Sequence, residues 1–182
     1  TVEGKGAGPG GIRVRFWDDW HIRRIPVVLG IFGAVAVGLP PLASADVQML
    51  SPWDVANPAV GNLDPALLIA VQQATAAAAA EGVTMTITSG WRSPVFQQQL
   101  LDDAIATYGS LDAALLYVQT PQRSHHVLGQ AVDIGLADAD RWLIANGARF
   151  GLCQIYANEP WHFELATDAA GICPPLLPNA AG

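Results

Sequence analysis

The order of apolar and polar residues from Asp64 onward predicts a helix followed by a strand. Asp64-Pro65 places a carboxylate at an N-cap position and a proline at the first helical position, a combination that begins helices. The alanine-rich stretch that follows predicts a close-packed helix that runs to Glu81 and stops at Gly82. Residues 83–88 (VTMTIT) then alternate β-branched and other side chains, which predicts a strand.

The remaining elements mix helices and strands without a βαβ repeat. The sequence SGWRS at residues 89–93 breaks the first strand, and Pro94 opens a second helix. Further predicted helices cover residues 111–118 and 139–148, and further predicted strands cover residues 131–134, 152–156 and 161–165. This order predicts an α+β fold with a small, mostly antiparallel sheet flanked by helices.

An apolar run at residues 25–42 follows Arg23-Arg24 and precedes Ala43-Ser44-Ala45. A basic flank, an apolar stretch and a small-x-small site are typical of a secretory signal peptide. The run is also long enough to be an uncleaved membrane anchor, although its prolines and the Ala-x-Ala site favour cleavage. We therefore expect an exported protein, secreted or held at the cell envelope, with membrane attachment through residues 25–42 as the alternative.

The length of 182 residues allows one domain with a substantial core. We expect an N-terminal region with the signal peptide or anchor at residues 1–45 and an irregular linker at residues 46–63, part of which can pack on the domain. The main domain is expected at residues 64–173 and a loose tail at residues 174–182. We expect the protein to be a monomer.

Charge is distributed unevenly along the chain. From residue 46 onward, four arginines and no lysine stand against thirteen aspartates and glutamates, so this part carries a net charge of −9 with neutral histidines. Nucleic-acid binding needs a basic surface that neutralises phosphates. The composition therefore excludes nucleic acid as the expected partner.

The two cysteines, Cys153 and Cys173, both lie in the portion expected to be exported. In an oxidising compartment, an isolated pair of this kind predicts a disulfide. Two buried free thiols are the alternative.

The histidines and one aspartate suggest a metal site. Zinc peptidases use three protein ligands from His, Asp or Glu and keep a fourth position open for water. The portion after residue 46 holds only His125, His126 and His162. Asp133 lies in the apolar sequence AVDI, where a carboxylate must be paired or metal-bound because burial of a bare charge is costly. Spacing alone does not choose between His125 and His126.

Glu159 lies three residues before His162, across a proline, and a short bend can direct it at water on the same metal. Alternation along the following strand puts Glu164 on the same face as His162, either as a partner that orients the histidine or as a solvated side chain. Arg92 follows the first strand and can hold a substrate carboxylate or a developing oxyanion, or form an ordinary surface ion pair. Gln97, five residues further on, can face the same cleft.

Two motifs and an upstream block resemble the VanY-type D-alanyl-D-alanine carboxypeptidases and their D,D-dipeptidase relatives. The motifs stand here as Ser124-x-His126-x-x-Gly129-x-Ala131-x-Asp133 and Glu159-Pro160-Trp161-His162. The block at residues 89–93, with Gln97, looks like the family's Ser-Gly-aromatic-Arg-Ser block, with tryptophan in place of the commoner tyrosine or phenylalanine. The similarity covers roughly residues 64–165.

The resemblance implies a zinc ion held by His126, Asp133 and His162, with Glu159 as the general base. It thereby selects His126 over His125. It further implies that Arg92 lies near the scissile carbonyl. The substrate-binding residues that it implies are Ser124, Gln97 and Ser89. The implied fold is the compact α+β shape shared with the Hedgehog signalling domain.

The expected function is hydrolysis of the terminal D-Ala-D-Ala bond of peptidoglycan stem peptides or precursors. There are two alternatives. One is a related endopeptidase that cuts the L-Ala-D-Glu bond or a crosslink, and the other is a non-enzymatic module that binds zinc or the cell wall. A serine D,D-peptidase is excluded because it needs a Ser-x-x-Lys motif, and the only lysine is Lys5.

Cys153 and Cys173 lie on either side of Glu159 and His162 in the sequence. A disulfide between them would therefore stabilise the loop that carries these two residues.

Overall fold

The computed structural model of the chain describes residues 49–182. The helices are α1 (Pro58–Gly61), α2 (Pro65–Ala80), α3 (Pro94–Tyr108), α4 (Leu111–Leu115) and α5 (Ala137–Asn146), which a 3-10 turn (Gly147–Phe150) follows. The strands are β1 (Thr86–Ser89), β2 (Ala131–Gly135), β3 (Leu152–Gln154) and β4 (His162–Leu165). They form one antiparallel sheet in the order β1-β2-β4-β3. The predicted α+β class and antiparallel sheet are confirmed.

Local side-chain caps fix where the two long helices begin. The Asp64 carboxylate accepts hydrogen bonds from the first-turn amides of α2, and Pro65 occupies the first helical position, as the sequence predicts. The Ser93 hydroxyl accepts from the Phe96 amide at the start of α3. Gly109 ends α3 with a φ of 82°, a left-handed conformation that glycine adopts without a steric cost.

Three predicted elements are shorter than expected because their ends bond elsewhere. The strand at residues 83–88 starts only at Thr86, since the Val83 amide donates to Ala78 and closes the end of α2. Helix α4 ends at Leu115, where the chain tightens into a turn. Strand β3 ends at Gln154 because the next residues pair with Leu177 instead of continuing along β4.

The core lies between the sheet and helices α2 and α5. Side chains on alternate strand positions point into it, among them Ile87, Val132, Ile134 and Phe163. The intervening positions, which include Asp133 and His162, face the other side of the sheet. The two-residue alternation along the strands therefore places apolar side chains on the face that packs against the core helices. It places polar side chains on the opposite face, where a functional site can form.

Segments on both sides of the expected domain also pack on it. Leu50 exchanges backbone hydrogen bonds of 2.8 and 2.9 Å with Ile87, and Val60 and Leu63 are buried in the core. Residues 49–63 thus pack on the domain, to a greater extent than the partial packing expected of a linker. At the other end, Leu177 and Ala180 bond to the domain, which differs from the expected loose tail. Burial of apolar side chains and non-local backbone pairing explain both differences.

The predicted signal peptide or anchor, including residues 25–42, lies outside the described residues. Within residues 49–182, no helix combines the length and the apolar composition that crossing a membrane requires.

One buried carboxyl group in α5 gives a pH-dependent prediction for stability. The Oδ1 atom of Asp140 is buried and has no hydrogen-bond partner among residues 49–182. Burial raises the pKa of Asp140 to about 7, with a further contribution from the charge of Asp133 and an opposing one from Arg141. The folded protein therefore binds this proton more tightly than the unfolded chain, so stability falls as pH rises through the range from about 4 to about 7.

Asp140→Asn is expected to raise the free energy of unfolding at pH 8, by about 1 kcal/mol or less because the residue is only partly buried. The gain should shrink at pH 5. Urea denaturation at both pH values tests this, with Asp112→Asn, an exposed first-turn carboxylate of α4, as the control. An equal gain at both pH values would contradict the explanation.

Candidate active site

One row of polar side chains crosses the face of the sheet opposite the core. Asp133 on β2 pairs directly with His162 on β4, and Ser89 on β1 pairs with Asp133 on the other side. A bulge between Ile87 and Ser89 shifts the register of β1, so Ser89 joins this row although Ile87 points into the core. The sheet therefore brings side chains from three strands to one place.

His126 reaches the same place from the turn before β2. Gly129 adopts a φ of 72°, and its amide donates to the His126 carbonyl at 3.1 Å. A Cβ atom at Gly129 would lie 2.5 Å from the Asn62 carbonyl oxygen, so the backbone also requires glycine for space. This turn lets His126 and Asp133 meet although seven positions separate them, as predicted from the glycine.

The three predicted ligands converge on one point. His126 Nε2 lies 3.3 Å from His162 Nδ1 and 3.3 Å from Asp133 Oδ1, and the latter two atoms lie 3.1 Å apart. All three side chains are buried. A tetrahedral zinc ion with ligands at about 2.0–2.1 Å requires about 3.3 Å between ligand atoms. The donor set and its spacing therefore fit zinc with one position left open.

The second nitrogen of each ligand histidine has its own partner. His126 Nδ1 lies 2.9 Å from the Gly90 carbonyl oxygen, and His162 Nε2 lies 2.9 Å from Glu164 Oε1. Glu164 Oε2 in turn accepts from His125 Nδ1 at 2.7 Å. These bonds orient the rings so that the remaining nitrogens face the metal position. Glu164 is a buried partner of His162, and His125 lies outside the ligand set.

The carboxylates around His162 make this pocket suitable for a cation. Burial alone would lower the pKa of His162, but hydrogen bonds with Asp133 and Glu164 raise it to about 9. Burial would likewise raise the pKa of Glu164, yet the bonds with His125 and His162 lower it to about 2. Glu164 therefore stays ionised and holds positive charge on its partners.

Glu164→Gln is expected to weaken zinc binding by about tenfold, because the neutral amide supports His162 less strongly than the carboxylate does. Competition with a chromophoric chelator measures the dissociation constant. Glu81→Gln, on the opposite side of the core beside Trp142, is the matched control and should bind zinc like the wild type. Unchanged affinity in Glu164→Gln would contradict a role of this bond in holding the metal.

Glu159 lies at the edge of the ligand set with a free oxygen. Its Oε2 atom is 4.0 Å from His162 Nδ1, and its buried Oε1 atom has no hydrogen-bond partner in the described part of the chain. Burial raises the pKa of Glu159 to about 7, although the charges of His162 and Arg92 oppose the rise. A buried acceptor with an unused oxygen is suited to take a proton from a molecule bound beside it.

Arg92 joins the predicted substrate-binding residues to a metal ligand. Its Nη2 donates to Asp133 Oδ2 at 2.8 Å, so the two oxygens of Asp133 face different partners. Its Nε donates to Ser89 Oγ at 2.8 Å, and its Nη1 donates to Gln97 Oε1 at 3.2 Å. Arg92 therefore orients Asp133, a contact that the sequence prediction did not include.

Ser124 is buried on the turn just before His126, where its amide donates to Thr120 at 2.9 Å. The structure thus brings Ser89, Arg92, Gln97 and the three ligands together, with Ser124 next to them along the chain. Binding of substrate by these residues stays a prediction.

Cys153 and Cys173 form the predicted disulfide.

Two residues at the site were not singled out from the sequence. The Tyr156 ring lies 4.9 Å from the His162 ring, and its position three residues before Glu159 is the only sequence signal for it. Gln119 is buried and its carbonyl oxygen accepts from Gln97 Nε2 at 2.9 Å. No sequence signal marks Gln119, because its backbone carbonyl binds Gln97 and its side chain binds Ala180, which lies 61 positions away.

Comparison with known proteins connects this geometry to a family. The family model for VanY, described as D-alanyl-D-alanine carboxypeptidase, matches residues 61–168. A D-alanyl-D-alanine carboxypeptidase of Enterococcus faecalis is 34% identical over 113 residues, which is 48% of this chain and 42% of that protein. The chain thus matches less than half of the length of this curated relative.

Two solved structures are similar over 69% of this chain. One is a mutant of the vancomycin-resistance D,D-pentapeptidase VanY from a VanB-type cassette, in complex with Zn(II), with 29% identity, 81% of that chain covered and a TM-score of 0.54. The other is VanYB in complex with D-alanine-D-alanine, with 28% identity, 80% of that chain covered and a TM-score of 0.54. Both have the α+β fold that the residue motifs imply.

Proposed function

Because the chain belongs to the VanY family of D-alanyl-D-alanine carboxypeptidases, we propose that it is a zinc-dependent D,D-peptidase. Its proposed substrate is the terminal D-Ala-D-Ala bond of peptidoglycan stem peptides or their precursors. The observation that carries the proposal is the convergence of His126, Asp133 and His162 within 4.8 Å, beside the Glu159 carboxylate, whose Oε1 atom has no hydrogen-bond partner among residues 49–182. The zinc and D-alanine-D-alanine complexes of the similar VanY proteins support the choice of metal and substrate.

Zinc, when bound by the three ligands, supplies a Lewis acid that polarises the scissile carbonyl and makes water more acidic. Glu159 accepts the proton of the attacking water on its carboxylate, whose Oε2 atom lies 4.0 Å from His162 Nδ1. The water oxygen forms the new bond to the carbonyl carbon, and the carbon–nitrogen bond to the terminal D-alanine breaks. Glu159 then returns the proton to the leaving amine, so no side chain becomes covalently attached to the substrate.

Arg92 has two proposed roles. Its bond to Asp133 holds that carboxylate in place, and its positive charge stabilises the negative charge that develops on the carbonyl oxygen. Ser89 and Gln97 fix the guanidinium, which reduces the reorganisation needed during the reaction. With Ser124, they are the proposed lining of the substrate pocket.

The position of Glu159 favours a peptidase over a zinc- or wall-binding module. Burial of a carboxylate without a hydrogen bond to one of its oxygens is unfavourable. Binding of zinc or of a wall peptide needs no base, whereas hydrolysis does. The cost of holding Glu159 there is therefore explained by catalysis.

We propose that the protein acts outside the cytoplasm. The disulfide between Cys153 and Cys173 is consistent with an oxidising compartment, and the proposed substrate lies in the cell envelope. The proposed export signal is the segment at residues 25–42, with cleavage after residue 45 or attachment to the membrane as its two outcomes.

A panel of substrates tests which bond is cut. The zinc-loaded protein is incubated with a stem pentapeptide, the matching tetrapeptide, free D-Ala-D-Ala and a crosslinked muropeptide, and the products are identified by mass spectrometry. We expect loss of one D-alanine from the pentapeptide and no cleavage of the tetrapeptide. Cleavage only of the crosslink or of L-Ala-D-Glu would assign the endopeptidase alternative instead.

A further inference from the structure

The residues after the disulfide lie outside the range that the family model matches, residues 61–168. Residues 174–182, here named the C-terminal strap, directly follow Cys173 and pair with the loop between β3 and β4. The Leu177 amide donates to the Ile155 carbonyl at 2.9 Å, and the Ala157 amide donates to the Leu177 carbonyl at 2.8 Å. The strap therefore pairs with the backbone two to four residues before Glu159.

The far end of the strap is held by the segment that follows α4, residues 116–119. Gln119 Nε2 donates to the Ala180 carbonyl at 2.5 Å, and the Ala180 amide donates to the Leu116 carbonyl at 3.3 Å. Asn158 Nδ2 donates to the same Leu116 carbonyl at 3.0 Å. The strap and Asn158 together link the loop that carries Glu159 to residues 116–119.

The position of the Glu159 side chain depends on this loop, because few contacts hold its carboxylate directly. Its Oε1 atom has no hydrogen-bond partner within residues 49–182, and its nearest ion contact is 4.0 Å long. Arg92, by contrast, is fixed by bonds to Ser89, Gln97 and Asp133. The carboxylate of Glu159 is thus positioned through its backbone, which bonds to Tyr156 and His162 within the loop. The strap adds the only backbone bonds in the described residues that hold Ile155 and Ala157 of this loop from outside it.

We propose that the C-terminal strap positions Glu159, with Leu177 and Gln119 as the positioning residues at its two attachment points. This inference rests on the proposed peptidase function and adds a segment beyond the ligand set to the catalytic geometry. Displacement of a base by about 1 Å can cost up to about a hundredfold in rate, so loss of the strap should affect the chemical step more than binding.

Leu177→Pro in the full chain removes the amide that donates to Ile155. Leu176→Pro is the matched control, because within the described residues the Leu176 amide donates no hydrogen bond. Gln119→Met, which keeps the length of the side chain, removes one of the two bonds that hold Ala180. Gln122→Met, at an exposed position of the same segment, is its control. Hydrogen exchange at residues 155–159, the zinc dissociation constant, kcat and KM are measured for each variant.

We expect Leu177→Pro to speed amide exchange at Ala157 and to lower kcat by about tenfold to a hundredfold, with KM and zinc affinity within about twofold of the wild type. Gln119→Met should change the same quantities in the same direction, and both controls should match the wild type. Faster exchange with unchanged kcat, or equal losses of kcat and zinc affinity, would overturn the proposal. If the wild type cleaves no substrate, the proposed function fails, whereas unchanged exchange at Ala157 in Leu177→Pro overturns the strap itself.

Discussion

Glu159→Gln is expected to lower kcat for D-alanine release by about 10³- to 10⁴-fold while zinc stays bound, because the amide cannot accept the proton of water. Glutamine has nearly the same shape, and the side chain of Glu159 makes no ligand bond to the metal position in the described structure. The loss should therefore appear in the chemical step and leave the metal content unchanged. Steady-state kinetics with quantified D-alanine, together with metal analysis of the same sample, measure both effects.

Glu81→Gln is the control for the change from carboxylate to amide, since Glu81 accepts from Trp142 on the far side of the core. It should keep the wild-type kcat. A Glu159→Gln protein with more than about a tenth of wild-type activity would exclude Glu159 as the base, since general base catalysis contributes at least about a hundredfold. Another residue would then have to accept the proton of the attacking water.

Asp133→Asn is expected to weaken zinc binding by more than about a hundredfold and to abolish activity at low zinc concentrations. Changes in residues that only support ligands already cost about tenfold to a hundredfold in affinity, and Asp133 is itself a proposed ligand. The substitution also removes the ion pair with Arg92, which is largely buried with side-chain exposures of 16% and 11%. Arg92 would then keep its bonds to Ser89 and Gln97 but lose its charged partner.

Zinc titration with a competing chelator measures the effect of Asp133→Asn, and Asp112→Asn on the exposed first turn of α4 is the control. Partial recovery of activity at high zinc concentration is expected, because both histidine ligands remain. Wild-type zinc affinity in Asp133→Asn would contradict the ligand set.

Much of the fold could be predicted from local sequence, because its signals are local, whereas the choice of His126 over His125 as a ligand needed the family resemblance. Asp64-Pro65 defines the start of α2 through a side-chain cap, and Gly129 permits the turn that His126 needs. Alternation along β4 puts His162 and Glu164 on the same face, and the structure places them there. Each of these depends on neighbours within a few residues.

Other features could not be predicted because they depend on contacts between distant segments. The bulge that turns Ser89 toward Asp133 follows from the register of β1 on β2. The bond from Arg92 to Asp133 joins residues 41 positions apart, and pairing of Leu177 with Tyr156 shortens β3. The contact of His125 with Glu164 could not be predicted either, since the two residues lie 39 positions apart.

The most direct test of the central proposal is the release of D-alanine from a stem pentapeptide by the zinc-loaded protein, followed by mass spectrometry. The metal-stripped protein and the same sample with zinc restored are measured in parallel. The account predicts a tetrapeptide product with one free D-alanine, its loss on stripping and its return with zinc. An intact pentapeptide with the zinc-loaded protein, or equal release after the metal is removed, would contradict it.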